Sequence, residues 1–207
     1  MASATEARLY VITAPSGAGK TTLVHALTMR HPELRFSISY TTRKKRRNEA
    51  DGVDYIFIDK QEFERLREQG EMLEYATVFD NLYATSRRQV EQHLGDGYPV
   101  ILEIDWQGAA QVRNSMPECV SVFILPPSLN ELERRLRMRR TDSDAVIDRR
   151  LRDAVSDMDH WHEFDYVIIN DDLDQALADL EAVFAGDGTA QATDNPTLRR
   201  TVARILS

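Results

Sequence analysis

Short apolar runs alternate with amphipathic stretches along most of the chain. The runs Arg8–Thr13, Pro99–Ile104, Val120–Leu125 and Tyr166–Ile169 are almost wholly apolar, the pattern of parallel strands covered on both faces. Between and after them the apolar positions recur with helical spacing. Helices are predicted over 20–30, 106–114, 129–138, 145–160 and 173–184. Ser128, with Glu131 three residues on, reads as a capping box. Strand–helix alternation of this kind predicts an α/β fold, a three-layer α/β/α core around a parallel sheet.

The alternation breaks between 35 and 83. Ser37-Ile38-Ser39, residues 54–58 and residues 73–78 read as short strands with polar punctuation. Lys60–Glu68 reads as a helix between them, capped by Asp59. A mixed, β-rich insertion of this kind predicts a separate substrate lobe, 35–85. The segment 134–150 is dense in arginine and contains the polar stretch Thr141-Asp142-Ser143-Asp144, which predicts a small helical lid over 135–160. The core is then 1–34, 86–134 and 161–185. Residues 186–207 read as a small, polar and mobile tail with a last short helix at Asn195–Leu206.

Composition narrows the partners. Apolar residues make up 42% and charged residues 29%, so the chain can build a core. The net charge of −8 argues against general nucleic-acid affinity. No run of 18 apolar residues occurs, and the first residues lack the basic segment and apolar core of a signal peptide. A lone cysteine, Cys119, fits a reducing compartment. The expectation is a cytoplasmic protein with no nucleic-acid or membrane partner; homo-oligomerisation stays open.

The strongest chemical signal follows the first strand. Ala14-Pro15-Ser16-Gly17-Ala18-Gly19-Lys20-Thr21 is a phosphate-binding loop in which Ala14 stands where the common pattern has glycine. A strand, a small-residue loop and a helix N-terminus that takes in Thr22 turn backbone N–H groups and the positive end of the helix toward an anion. Lys20 adds a charge on the transferred phosphate, and the Thr21 hydroxyl a ligand for Mg²⁺. Alanine is acceptable at 14 only if that position avoids positive φ.

Other constellations point further. Arg43 and Arg46, three apart, with hydroxyls before them and Tyr55 beyond, suit a phosphomonoester, because guanidinium forks match phosphate oxygens; a plain basic surface loop is the alternative. Glu74 interrupts an apolar strand. A carboxylate there is expensive to bury unpaired, and it can accept from the adjacent N1–H and N2–H₂ donors of guanine; otherwise it faces solvent. Glu103 and Asp105 end the strand before Trp106, where ligands of open α/β sheets bind, and Asp105 is also a good helix cap. Arg135 and Arg139 share a helix face and, with Arg150, suit a flap over phosphates; a solvated face is the alternative.

Taken together, residues 8–184 resemble a bacterial guanylate kinase, a P-loop nucleoside monophosphate kinase. The resemblance rests on residues 14–20, Ser39-Tyr40-Thr41-Thr42-Arg43, Ile104-Asp105-Trp106-Gln107-Gly108, Leu125-Pro126-Pro127-Ser128 and Val167-Ile168-Ile169-Asn170-Asp171-Asp172. It implies transfer of the ATP γ-phosphoryl group to GMP, and to dGMP, with Mg²⁺, in purine metabolism. It also implies roles. Ser39, Glu74 and Thr85 would contact guanine. Arg43, Arg46, Tyr55 and Tyr83 would bind the GMP phosphate, with Glu103, Asp105 and Arg150 on the GMP side. Residues 14–22 with Arg135, Arg139 and Asn170 would serve ATP, and Lys20, Arg43, Arg135, Arg139 and Arg150 the transfer itself. The family's loop after Arg43 often carries a proline and a glycine; here Lys44-Lys45-Arg46-Arg47-Asn48-Glu49 has neither, and a looser loop is expected.

Overall fold

The structure is a computed structural model that describes residues 7–78, 80–138 and 144–207. Arg139 and residues 141–143 lie outside the described residues, and with them part of the predicted lid. The chain divides into two compact units. One joins Ile12–Pro32 to the described part of Ser121–Ser207; the other joins 7–11 to Glu33–Val120.

The predicted strands and helices of the core all form. The strands β1 (Leu9–Thr13), β2 (Arg35–Phe36), β7 (Val100–Glu103), β8 (Val120–Leu125) and β9 (Tyr166–Ile169) make a sheet ordered β2-β7-β1-β8-β9. The β2–β7 and β8–β9 pairs are parallel. β1 is buried along its whole length, as a strand covered on both faces must be. In the first unit, α1 (Lys20–Arg30) packs on α7 (Leu173–Phe184), and α5 (Leu129–Met138) on α6 (Asp144–Met158).

The second unit carries a mixed sheet ordered β4-β3-β6-β5, built from β3 (Tyr40–Thr41), β4 (Ile56–Phe57), β5 (Met72–Val78) and β6 (Asn81–Ser86). α2 (Lys60–Glu68) covers it. Asp59 caps α2 by accepting from the Glu62 N–H at 2.8 Å, and the helix drives Phe63 against Met72 and Ala84. α3 (Arg87–Gly95) and α4 (Trp106–Ser115) complete the unit.

Three expectations need correction. Ser37-Ile38-Ser39 is not a strand but the crossing from β2 to β3. The Ser37 N–H still donates to the Ile101 carbonyl and the Ser39 carbonyl accepts from the Ile56 N–H, but between them the Gln89 side-chain carbonyl accepts from the Ser37 hydroxyl (2.9 Å) and the Ile38 N–H (3.0 Å), so a side chain on α3 interrupts the ladder at Ile38. The expected elements leave out β2, β3, β6 and α3. The tail is anchored: the Val167 N–H donates to the Gln191 carbonyl and the Thr193 N–H to that of Asp165. α8 (Pro196–Ile205), where the short terminal helix was expected, buries Val202 and Ile205.

Candidate functional site

In the first unit, the loop between β1 and α1 is shaped by two glycines. Gly17 and Gly19 have φ of 95° and 94°, a conformation that penalises any Cβ. Asp80 is the one non-glycine with positive φ among the described residues, so Ala14 sits where an L side chain is at ease. Space enforces Gly19 as well: a Cβ there would overlap the Asn170 amide nitrogen.

That contact belongs to a brace. Asn170, buried at the end of β9, donates to the Ala18 carbonyl at 2.7 Å. Arg135 donates to the same carbonyl at 3.3 Å and to the Asn170 carbonyl at 3.0 Å. Arg150 donates to the Ser16 hydroxyl at 2.7 Å. Arg135 and Arg150 therefore touch the loop between β1 and α1 and are not a solvated face. Glu131 orients Arg135, accepting from its Nε at 2.8 Å, and also accepts from Arg134. These arginines hold its carboxyl down at about 2. The capping box is thus half made: the Ser128 hydroxyl accepts from the Glu131 N–H, while the Glu131 carboxylate serves the arginines. Beside the loop lies a cleft of about 340 Å³. Its lining includes Thr22 and Asn170, which were predicted, and Arg134, Met138, Asp171 and Leu173, which were not. Arg134 lies in the arginine-dense segment and Asp171 in the stretch 167–172 already singled out, whereas Met138 and Leu173 carry no such signal and follow only from the fold. Lys20 is half-buried and Thr21 exposed, in the first turn of α1.

The second unit holds the other predicted residues. Arg43 is engaged as a fork: it donates to Glu49 through both terminal nitrogens (3.1 and 2.7 Å) and to the Tyr83 hydroxyl through Nε at 3.2 Å. Tyr55 stands edge-on to Tyr83, with the Arg43 guanidinium 5.2 Å from its ring centre. Burial pushes the Tyr55 hydroxyl up, helped by the nearby Tyr83 and the negative charge of Glu103. Glu49 also accepts from the Arg46 N–H at 2.8 Å. The loop 43–49 is therefore tied by Glu49 and is not the slack segment expected from its missing proline and glycine. Arg46 itself points outward, its side chain 76% exposed.

Glu74 is buried, only 3% exposed, which excludes the solvent-facing alternative. Glu74 shares a buried face of β5 with Ala76, while Tyr75 and Thr77 face outward. A bulge lies just before it: Met72 pairs with Ser86 and Glu74 with Thr85, so β5 spends one extra residue there. The Thr85 hydroxyl donates to Glu74 Oε1 at 2.6 Å. Burial, with the nearby Asp105 charge adding to it and the Thr85 bond opposing, pushes the Glu74 carboxyl up to about 7. Asp105 caps α4, accepting from the Gly108 N–H at 2.9 Å. Ser39 lies half-buried in the stretch fastened by Gln89.

Comparison with known proteins identifies the family. The family model described as guanylate kinase matches residues 6–186. A guanylate kinase of Alkalilimnicola ehrlichii is 52% identical over 198 residues, covering 96% of this chain and 98% of the relative. One from Methylococcus capsulatus is 52% identical over 202 residues, covering 98% and 99%. Among solved structures, the guanylate kinase of Anaplasma phagocytophilum superposes with a TM-score of 0.72 at 31% identity, covering 97% of this chain and 95% of its own. The chain belongs to the guanylate kinase family.

Proposed function

We propose that the braced loop of the first unit and the arginine–tyrosine–glutamate constellation of the second are the donor and acceptor halves of one reaction. The chain is a nucleoside monophosphate kinase that transfers the γ-phosphoryl group of ATP to GMP, giving ADP and GDP. The assignment of residues rests chiefly on one observation: a carboxylate interrupts an apolar strand, is buried, and is held in place by a threonine across the sheet. Such a group needs a ligand with paired donors to repay its desolvation. Guanine has N1–H and N2–H₂ side by side; adenine has no donor at N1.

In this reading Glu74, Thr85 and Ser39 read the base. Arg43, Tyr83 and Tyr55, with Arg46 from the loop, take the GMP phosphate, and Glu103 and Asp105 belong to the same side. Residues 35–85 form the acceptor lobe and 135–160 the lid. On the donor side, residues 14–22 cradle the triphosphate, Lys20 neutralises the transferred phosphate, and Arg135 and Arg150 do so from above the loop. The cleft beside Thr22 and Asn170 accepts the adenosine.

A divalent ion fits this donor set only as a passenger of ATP. No group of three or more His, Cys, Asp or Glu residues could hold one among the described residues, whereas the exposed Thr21 hydroxyl can complete the shell of a phosphate-bound Mg²⁺. Bound there, Mg²⁺ would neutralise charge on the β- and γ-phosphates.

No protein nucleophile is required, since the acceptor is already an anion. The obstacle is the approach of two polyanions, so the residues contribute positioning and charge neutralisation. A coupled assay of ADP formation with GMP, AMP, CMP and UMP tests the reading. Turnover should depend on GMP and be far slower with the others; equal turnover with AMP would overturn the base-reading role of Glu74.

A further inference from the structure

We infer that Gly108 is a specificity-determining residue for GMP, kept free of a side chain so that the Glu74 carboxylate can stand against α4. The inference rests on the base-reading role proposed for Glu74 and goes beyond it.

Gly108 lies in the first turn of α4, and its backbone is ordinary helix; it is absent from the residues with positive φ. Conformational freedom therefore does not explain a glycine here. Glycine in a helix is in fact a cost, about 1 kcal/mol relative to alanine. Space explains it. A Cβ on Gly108 would overlap Glu74 Oε2, stand 3.0 Å from Glu74 Cδ and 3.4 Å from Asp105 Oδ1. An overlap with the end of a glutamate is cheap when that end can swing away. Here it cannot do so freely: Glu74 is 3% exposed, its other oxygen takes the Thr85 hydroxyl at 2.6 Å, and the bulge fixes where its strand sits. The adjoining Tyr75 is fastened to the same helix, since Gln111 accepts from the Tyr75 N–H (3.1 Å) and donates to its carbonyl (2.7 Å). β5 and α4 are thus held at one separation, and the missing Cβ is the room in which the carboxylate sits.

The test uses the whole protein and three variants: Gly108→Ala, Glu74→Ala and the double variant. Gly108→Ala should raise the GMP KM by roughly tenfold or more while leaving the ATP KM unchanged and kcat at saturating GMP within about threefold. If Gly108 acts through Glu74, the same substitution in the Glu74→Ala background should not raise the GMP KM further. Thermal melting gives a second readout of opposite sign in the two backgrounds. Gly108→Ala should lower the midpoint when Glu74 is present and raise it when Glu74 is alanine, where only the helix propensity remains. Should the single variant fail to fold, recovery of folding in the double variant supports the inference and failure to recover overturns it. A GMP KM within twofold of the parent in Gly108→Ala, or an equal rise in both backgrounds, overturns it also. A raised GMP KM in Glu74→Ala beside an unchanged one in Gly108→Ala removes this inference alone. An unchanged GMP KM in Glu74→Ala removes the reading of Glu74 and this inference with it.

Discussion

Replacing Glu74 by glutamine removes a charge and little volume, and it separates two effects that share one side chain. In the ligand-free protein the carboxyl titrates near 7 instead of the ordinary 4.5. The folded protein thus holds a proton that the unfolded chain has released between those values. Stability from this group is fully present below 4.5 and is lost as the pH rises through 7. At pH 8 the ionised, buried carboxylate costs about 3 kcal/mol, since each pH unit between the ordinary and the raised value is worth about 1.4 kcal/mol. Glutamine, neutral at every pH and still able to accept from Thr85, avoids that cost. Ligand-free Glu74→Gln should therefore melt several degrees higher than the parent at pH 8, at about 2–4 °C per kcal/mol for a chain this size, and the gap should close toward pH 5.

Recognition runs the other way. The ionised carboxylate can accept from both guanine donors, whereas the amide turns its own N–H₂ toward one of them. Losing one charge-assisted bond costs about 2–3 kcal/mol, so the GMP KM should rise roughly 30- to 150-fold at pH 8. At pH 6 most of the parent's carboxyl is protonated and must lose its proton to bind. Its own affinity then falls by about tenfold, and the penalty of the variant shrinks in proportion. The GMP phosphate also titrates near this range, but equally for both proteins, so the ratio of their KM values isolates Glu74. Initial rates at pH 6, 7 and 8, with melting of the free proteins, provide the measurement. A ratio near one, or a ratio that does not change with pH, refutes the base-reading role of the ionised carboxylate.

Three further outcomes follow from the same contacts. Lys20→Ala should lower kcat by about 10²–10³-fold, on the scale of removing one preorganised charge-stabilising donor, with an unchanged circular dichroism spectrum; near-normal turnover would remove Lys20 from the transfer step. Asn170→Ala strips the Ala18 carbonyl of a 2.7 Å bond and should cost about 1–3 kcal/mol of stability and raise the ATP KM; a loop that keeps its ATP affinity without Asn170 is not braced by it. Removing residues 187–207 should cost about 3–6 kcal/mol from Val202 and Ile205 alone, two side chains that become fully buried, visible as a lower melting midpoint; a truncated chain that melts with the parent would mean that the tail is not anchored.

The core was legible because its strands are doubly covered apolar runs and its helices have long, regular apolar faces. The loop between β1 and α1 was legible because it is local: strand, glycines, lysine and helix lie within a few residues of each other. What escaped was set by partners distant in sequence. Nothing in Ser37-Ile38-Ser39 announces that Gln89 will take the Ser37 hydroxyl and the Ile38 N–H. Nothing near Asn170 announces the Ala18 carbonyl, 152 residues away. β6 is a mixed run, Asn81-Leu82-Tyr83-Ala84-Thr85-Ser86, with no clean alternation, and forms because β3 and β5 flank it. Glu74 was ambiguous for a sharper reason: alternation puts it on one face with Ala76, but which face of β5 is covered is decided by the elements packed on the strand, not by β5 alone.

Two acidic groups of the second unit, Glu49 and Glu74, behave oppositely, and in the proposed reading the difference separates positioning from recognition. Four N–H donations of Arg43 are taken, by Tyr83, by the Lys44 carbonyl and twice by Glu49, out of the five a guanidinium can make. A phosphate bound by both prongs of this fork must share it with Glu49 or displace it. Either exchange keeps an anion against the cation, so Arg43 need not be stripped bare at any stage, which would be the costly path. The side-chain bonds from Arg43, aided by the Arg46 N–H, hold the Glu49 carboxyl below its ordinary range, so its competition for the fork does not change near neutral pH. Glu74 is governed by burial, Thr85 and Asp105, none of them a cation, and it is the acid whose ionisation changes there. If the ratio of GMP KM values to the parent changes with pH for Glu74→Gln but stays constant for Glu49→Gln, the sensitivity beyond that of the GMP phosphate itself lies in the reading of the base and not in the grip on its phosphate.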